Sequence, residues 1–395
     1  MDSIASTCCR PVPWIPTCAI LVACAGTRTS SLATAQVDTL PGQVIRVRNT
    51  GPSEWTDTNG WKLVLERTIQ PASGSPGELV HPAVVAATSG GDVLVLDSKP
   101  AVIKRYSADG TFLNTIGREG SGPGEFHDYG GLYVARDTLL HQDAEQTSVS
   151  AYGIDGKFIA SWTSSPMTER GLIADDSGRV PIAAETGTNR INSGHGVIRH
   201  HTDGTTIDTV WYPDAREPMT WRLKTAHADM GMLVPHSPDR LTSFDRAGRL
   251  VWGDQGTYRL LYSRTGRDTL LIVEAAATPA RIADPIRRSE LSSALTRSPW
   301  LQGIAKLDDI PREYPVWTAA IADGANNLWV LRPGPRGEGD HWDVFTADGR
   351  LLGAVPAPFN HGDGTFWTRE RVYVIEDAAD GTPTIQVYRI VRGPH

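Results

Sequence analysis

The chain has 395 residues, a formal net charge of −7 and 21% charged residues. It contains no run of five or six like charges. Nucleic-acid-binding surfaces need clustered Lys and Arg, so the charge pattern of this acidic chain excludes a typical nucleic-acid-binding protein. All four cysteines lie within the first 24 residues. The rest of the chain can therefore hold neither a disulfide framework nor a cysteine-based metal site.

The first 35 residues predict an export signal. The apolar stretch 14–25 (WIPTCAILVACA) is too short to span a bilayer, and small and polar residues follow it. Two cleavage sites remain open. Residues 21–24 (LVAC) are similar to the lipobox of bacterial lipoproteins, in which Cys24 would carry the lipid, whereas residues 33–35 (ATA) suit ordinary signal peptidase. A disordered tail is the alternative to export. We expect membrane attachment only through that lipid.

Two segments precede the regular part of the chain. Residues 36–59 are polar and rich in turn-forming residues, and they predict a linker with one short strand at most. Residues 61–69 (WKLVLERTI) predict a strand that has no partner near it in the sequence.

From there on, one pattern repeats along the chain. Each repeat has an inner hairpin, in which two apolar strands flank a Gly, Asp or Asn turn, followed by an outer hairpin with a polar tip that ends in Gly. The inner hairpins lie at 83–97, 131–143, 171–185, 241–254, 317–333 and 364–377. The outer hairpins lie at 102–117, 148–162, 196–211, 259–274 and 342–356. A period of about 40–50 residues is typical of the four-stranded blades of a β-propeller.

The number of hairpins predicts how the ring closes. There are six inner hairpins but only five complete outer ones, and the last strand, 384–390, lacks a following partner. The strand at 61–69 can fill this place, and closure removes the two sheet edges that an open ring would expose. We therefore predict an all-β fold, a six-bladed β-propeller over residues 60–395 closed by an N-terminal strand. Five or seven blades are the alternative.

One segment, residues 274–310, breaks the period. Asp284 and Pro285 suit the N-cap and first position of a helix. Apolar residues then recur at helical spacing: Ile286, Leu291, Ala294 and Leu295. This predicts one short helix inserted between blades four and five and lying over a propeller face. It would be a lid or, as we favour, a long connection that packs its apolar face.

Two loops resemble NHL repeats, in which a G-P-G-E-F sequence precedes the inner strand. Residues 122–126 (GPGEF) match directly, and residues 75–79 (SPGEL) match with Ser for Gly, one repeat earlier. The resemblance extends over 75–163, and the whole chain is similar to exported, six-bladed, NHL-like propellers of bacteria. It implies a closed ring but no single activity, because related propellers include protein- and RNA-binding modules, peptide-amidating lyases and sugar lactonases.

The loops that enter the inner strands of a propeller surround one mouth of its central channel. Candidate side chains at this position, from blade one to blade six, are His81, His127, Asp128, Glu169, Arg170, His236, Glu313, Tyr314, His361 and Asp363. Imidazoles that converge from neighbouring blades can bind Zn²⁺ and leave one position open for water. His81, His127 and His361 therefore predict a zinc site at the mouth of the channel.

This zinc site resembles that of the peptide-amidating lyases, which hold zinc on histidines from separate blades. Bound water would ionise near neutral pH, with Asp128 or Tyr129 as base or orienting group. The paired cysteines that often brace those lyases are missing here. The structural alternative is that the histidines are ordinary polar loop residues. A lactonase-type site would use Glu169, Glu313 and Asp363, but it lacks an Asn at these positions.

The sequence contains no G-x-S-x-G, H-E-x-x-H or EF-hand motif. It therefore predicts a non-catalytic binding scaffold, which engages a protein, peptide or glycan across one propeller face. The expected location is the bacterial periplasm or the outer envelope, and a monomer is expected. A metal-dependent lyase or hydrolase at the channel mouth, with a divalent metal such as zinc, is the alternative, and a purely structural envelope protein is a third.

Overall fold

A computed structural model of the chain describes most of its residues after the first 34. The described ranges are 35–51, 53–55, 59–127, 130–143, 145–164, 173–186, 194–213, 219–334, 339–362 and 364–393. Cys24, Asp128, Tyr129, Glu169, Arg170 and Asp363 lie outside them. The export signal and its two cleavage sites stay predictions.

The described chain begins with three strands that do not form a blade of their own. They are β1 (Gln36–Leu40), β2 (Val44–Asn49) and β3 (Lys62–Ile69), with a 3₁₀ turn at Pro41–Gln43. Blade one follows as β4 (Pro82–Ala87), β5 (Val93–Ser98), β6 (Ala101–Tyr106) and β7 (Phe112–Ile116). Two short strands, β8 (Arg118–Glu119) and β9 (Glu125–Phe126), lead to blade two, which consists of β10 (Gly131–Ala135), β11 (Thr138–Asp143), β12 (Ser148–Gly153) and β13 (Phe158–Thr163).

Blade three is described as the three strands β14 (Val180–Thr186), β15 (Gly194–His200) and β16 (Thr206–Trp211). A separate hairpin follows, formed by β17 (Thr220–Lys224) and β18 (Asp229–Leu233). Blade four contains β19 (Arg240–Phe244), β20 (Leu250–Asp254), β21 (Arg259–Ser263) and β22 (Leu271–Ala275).

The helix α1 (Asp284–Arg297) and two 3₁₀ turns, Pro299–Leu301 and Leu307–Asp309, separate blades four and five. Blade five contains β23 (Ala319–Ala322), β24 (Leu328–Arg332), β25 (His341–Phe345) and β26 (Leu351–Pro356). Blade six contains β27 (Thr365–Trp367), β28 (Arg371–Asp377) and β29 (Pro383–Val391).

The N-terminal strand β3 completes blade six. It pairs antiparallel with β29, from Lys62 opposite Val391 to Ile69 opposite Ile385, so the strand order of this sheet is β27-β28-β29-β3. Two segments that are far apart in the sequence, β3 and β27–β29, thus form one blade. This confirms the predicted six-bladed propeller and its closure by an N-terminal strand.

The segment predicted as a linker differs from expectation, because residues 36–49 form a hairpin. Strand β2 runs parallel to β22, and β1 pairs with β2, so the sheet of blade four has six strands. An existing sheet edge supplies hydrogen-bond partners to a segment too polar to form a sheet alone. Asn49, which is buried, then bonds to blade five: its Oδ1 accepts from Leu351 N at 2.8 Å and its Nδ2 donates to Gly349 O at 3.0 Å.

The core lies between adjacent blades and is richest where blade five meets blade six. Here Trp329 and Trp342 of blade five pack on Trp367 of blade six, with ring centroids 4.8 and 5.0 Å apart. Trp61, next to β3, packs on Trp329 at 6.0 Å. The closing strand is therefore anchored by aromatic burial as well as by its backbone pairing.

The predicted helix is present, and a hairpin that was not predicted packs against it. Trp221 of β17 is buried with Ala294 of α1 and donates its Nε1–H to Asp309 Oδ2 at 2.9 Å. The helix begins at Asp284 after an Ala283 N-cap, one residue away from the predicted cap.

The buried face of this helix is partly different from the predicted one. Leu291 and Leu295 pack into this cluster as expected. Ile286 is exposed, and Arg287 is buried instead. The Arg287 side chain can be buried because its guanidinium donates hydrogen bonds to the carbonyls of Leu307 and Ile310. No helix within the described ranges is long and apolar enough to cross a membrane.

Candidate functional site at the mouth of the central channel

A repeated hydrogen bond fixes the loops that enter the inner strands. Asp97 Oδ1, at the end of β5, accepts from His81 N at 2.7 Å, and Asp143 Oδ2, in the same place of blade two, accepts from His127 N at 2.7 Å. In both blades the acceptor lies sixteen residues after the donor. Blades four and six repeat this spacing, because Gln255 accepts from Asp239 N and Glu376 accepts from Asn360 N. A polar side chain at the end of the second strand, buried in blades one, two and four, thus satisfies loop N–H groups that would otherwise be unpaired.

Aligning the blades by this hydrogen bond shows which candidate residues are structurally equivalent. His81 and His127 occupy the same repeat position, whereas His361 lies one residue after its blade's equivalent, Asn360, and His236 lies three residues before Asp239. The polar residue at the end of the second strand in these four blades (Asp97, Asp143, Gln255 and Glu376) was the sequence signal that would have set this alignment.

Two of the three histidines predicted to bind zinc have separate local partners. His81 is exposed. His127 Nε2 lies 2.9 Å from Ser121 Oγ, and His361 Nδ1 lies 2.9 Å from Thr365 Oγ1, with its ring edge-on to Trp342. Among the described residues, no group of three or more His, Cys, Asp or Glu side chains is arranged to hold a metal ion. The zinc site stays a prediction.

A cavity of about 470 Å³ opens at this mouth of the channel, between the inner strands of blades four, five and six. His361 is one of its lining residues, as the sequence analysis expected for the channel mouth. Its polar lining also includes hydroxyl groups from three blades: Thr242, Ser243, Thr318 and Thr365. Trp317, Ile321 and Phe366 form apolar parts of the wall. These hydroxyl residues were missed because the candidates were taken from the loops before the inner strands, whereas Thr242, Ser243 and Thr365 lie on the strands themselves.

Within the described part of the chain, Arg240 is the only charged residue that lines this cavity. Its Nε donates to Asp254 Oδ1 at 2.9 Å, and its guanidinium stacks over Trp252 at 5.0 Å. Its charge is therefore compensated within blade four. The cavity can offer hydroxyls and aromatic surface, and it suits an uncharged group.

The inner strands end at the other end of the channel in a recurring turn. Asp245 Oδ1, after β19, accepts from the N–H groups two and four residues later, at 3.0 and 2.8 Å. Asp175 and Asp323 do the same in blades three and five. We call this end of the channel the hairpin end.

His236 joins the helix α1 to the propeller. Its Nε2 lies 3.8 Å from Glu290 Oε1 of α1, and its ring is edge-on to Tyr314 with centroids 4.9 Å apart. Its backbone has a φ of 59°, in the left-handed region that a non-glycine residue seldom adopts. The insertion is thus tied to the propeller beside blades four and five.

Burial lowers the pKa of His236, and the charge of Glu290 opposes this effect. As pH falls below about 6.5, His236 takes up its proton in the unfolded chain before it does so in the folded protein. The free energy of unfolding therefore decreases as pH falls from that value toward the pKa of His236 in the folded protein. We expect an NMR titration to give a pKa below the ordinary value, and Glu290→Gln to lower it further. A titration of His236 above the ordinary value would contradict the assignment of burial as the main effect.

Comparison with protein-family models and with curated proteins finds no match. Solved structures with the same general fold include a protein of Bacteroides fragilis named as a candidate exported protein, at 11% identity and a TM-score of 0.49, covering 88% of this chain and 99% of that one. A DUF4221-family member from Bacteroides vulgatus matches at 13% identity and a TM-score of 0.47, covering 85% and 100%. Virginiamycin B lyase from Staphylococcus aureus matches at 12% identity and a TM-score of 0.42, covering 83% and 99%. At these TM-scores the matches carry no argument about this chain.

Proposed function

We propose that this chain is a non-catalytic binding scaffold, and that its partner places an uncharged group in the cavity at the channel mouth. The observation that carries the proposal is the cavity itself. Its volume of about 470 Å³ falls within the range of ordinary ligand sites, which are mostly apolar with a few polar groups that fix orientation. A neutral sugar or an uncharged peptide side chain fits this chemistry.

The polar groups of the cavity suit binding better than bond cleavage. Thr365 Oγ1 is engaged both by His361 Nδ1 and by the Gly362 carbonyl, at 2.9 and 2.8 Å. Arg240 is paired with Asp254. These groups are held by their neighbours in fixed positions, so they can align a ligand at little entropic cost.

We further propose that the protein acts after export, in the periplasm or at the outer envelope. The support is the sequence pattern of the first 35 residues together with the absence of cysteine after Cys24. Whether Cys24 carries a lipid decides between a free and an anchored form. Mass spectrometry of the purified N-terminus distinguishes the two.

The binding proposal is tested by filling the cavity. The purified protein is screened by thermal unfolding against neutral mono- and disaccharides and short uncharged peptides. A ligand present at 100 times its Kd should add about 2.7 kcal/mol of stability. Thr242→Trp, which fills the mouth cavity, should abolish the effect, and Thr318→Val should weaken it by removing one hydroxyl.

Thr206→Trp is the matched control, because Thr206 is exposed on blade three, away from the cavity. It should leave binding unchanged, and circular dichroism should show all three variants folded. A ligand that stabilises the Thr242→Trp variant as much as the unsubstituted protein would place binding elsewhere. Turnover of a screened compound, lost on mutation of the cavity, would replace the scaffold proposal with an enzymatic one.

A further inference from the structure

Arg246, in the turn between β19 and β20, extends its side chain across the hairpin end of the channel. Its Nη2 donates to Trp367 O of blade six at 2.6 Å, its Nε to Asp323 O of blade five at 3.4 Å, and its Nη1 to Ala174 O of blade three at 3.5 Å. Its backbone N–H donates to Asn326 Oδ1 at 2.8 Å. One guanidinium therefore joins four blades.

This guanidinium has only neutral partners at hydrogen-bond distance. Within the described ranges, no carboxylate lies within 4.0 Å of it, although most other arginines there form ion pairs (Arg249 in the same turn and Arg179 in the equivalent turn of blade three are examples). Burial lowers the pKa of Arg246, which shows that its charge is desolvated. The charges of Asp176 and Asp323 oppose this effect without an ion pair to Arg246, and two of its three hydrogen bonds are long, so its charge is only partly compensated.

A cavity of about 500 Å³ lies against Arg246 at the hairpin end, on the side away from the mouth cavity, and Phe366 borders both cavities. Arg136 and Arg369 also line it, and both are exposed at its rim. Neither forms an ion pair among the residues that the structure describes. Three unpaired guanidinium groups from blades two, four and six therefore face one cavity.

The acidic residues of this cavity do not balance that charge. Asp175 is bonded to Arg179. Glu370 lies 3.9 Å from Arg371, which also pairs with Glu66 at 2.7 Å. Asp176 has no ion-pair partner among the described residues of the chain. Its charge and that of Asp323, which pairs with Arg392, raise the pKa of Arg246 from beyond ion-pair distance. The wall keeps an excess of positive charge.

We propose that the cavity at the hairpin end is an oxyanion site that binds the carboxylate group of a small molecule, with Arg246 as its main ligand. A guanidinium has five N–H donors, of which three are used here. The remaining ones can take a carboxylate oxygen pair in the fork geometry that arginine favours. Asp176 disfavours a second negative charge, so a monoanion is preferred over a phosphate dianion.

The proposal does not depend on the mouth cavity, since Arg246 and its carbonyl partners lie between the two. A carboxylate of this kind could belong to a peptide C-terminus or to a uronic acid. The two sources share the same chemistry at Arg246, and they differ in what surrounds the carboxylate.

Calorimetric titration of the full chain tests the site with N-acetylalanine, D-glucuronate and inorganic phosphate. N-acetylalaninamide and D-glucose are the matched neutral controls. We expect at least one of the two carboxylates to bind, with weaker binding of phosphate and no binding of the neutral partners. Arg246→Gln should weaken carboxylate binding at least tenfold, and Arg369→Gln should weaken it about threefold. Added NaCl should weaken it as well.

Arg297→Gln, at the end of α1, is the matched arginine control and should bind as the unsubstituted protein does. Arg369 is exposed, so its variant remains informative if Arg246→Gln fails to fold. The relative affinities of N-acetylalanine and D-glucuronate show which source is recognised. Equal binding of acid and amide, or phosphate binding tighter than both carboxylates, would overturn the proposal. So would full affinity in a folded Arg246→Gln variant, or no carboxylate binding at millimolar concentrations.

Discussion

Replacing Trp329 by alanine is expected to lower the free energy of unfolding by about 3–5 kcal/mol. Trp329 is fully buried where blades five and six meet, and its Nε1–H donates to Asp323 Oδ2 at 3.1 Å. Its removal leaves a void beside Trp367 and Trp61 that the rigid sheets on either side cannot fill. Denaturant unfolding followed by circular dichroism measures the loss.

Trp211→Ala is the matched control for this substitution. Trp211 is half-buried on β16, and the guanidinium of Arg267 stacks over its ring at 4.7 Å. A partly exposed cation–π contact contributes about 0.5–1 kcal/mol, so the loss should be much smaller than for Trp329. If both substitutions lower the free energy of unfolding equally, the junction of blades five and six is not the dominant part of the core.

The repeated hairpin pattern made the fold predictable from sequence, because each blade is built from contacts between neighbouring strands. Turn residues and alternating apolar residues signal such hairpins locally. Blade six showed the pattern least clearly, since Arg369 and Glu370 occupy its inner turn. Closure of the ring still identified it, because the strand at 61–69 had no other partner.

The parts that were not predicted depend on contacts between distant segments. The hairpin β1–β2 forms on the edge of β22, more than 220 residues away, and nothing local distinguishes it from a polar linker. The hairpin β17–β18 packs its Trp221 on α1 and the turn at Asp309. For the same reason, Arg287 was not expected inside the helix face, since its carbonyl partners lie about 20 residues later.

The candidate sites were predicted less well than the fold. His361 lines the mouth cavity, but its position in the repeat could not show that threonine and serine hydroxyls from three blades share that cavity. Arg246 had no signal in the sequence, because a turn arginine is ordinarily solvated. Only the ring geometry places its guanidinium against the carbonyl groups of three other blades.

Removal of residues 1–70 is expected to abolish the soluble monomer, because it deletes β3 and opens the ring. The nine-residue strand β29 would then present an unpaired edge, and such edges pair with other chains. Burial of Ile69 against blade one and of Trp61 against Trp329 would be lost together. Size-exclusion chromatography and thermal unfolding measure the outcome.

Removal of residues 1–50 is the matched control, since it deletes β1 and β2 but leaves the closing strand in place. This shorter deletion should give a folded monomer with a lower midpoint of thermal unfolding, because Asn49 no longer joins blades four and five. A synthetic peptide of residues 60–70, added during refolding, should restore the monomer of the longer deletion by pairing with β29. A monomeric 71–395 fragment with an unchanged midpoint would show that closure by β3 is not what holds the ring together.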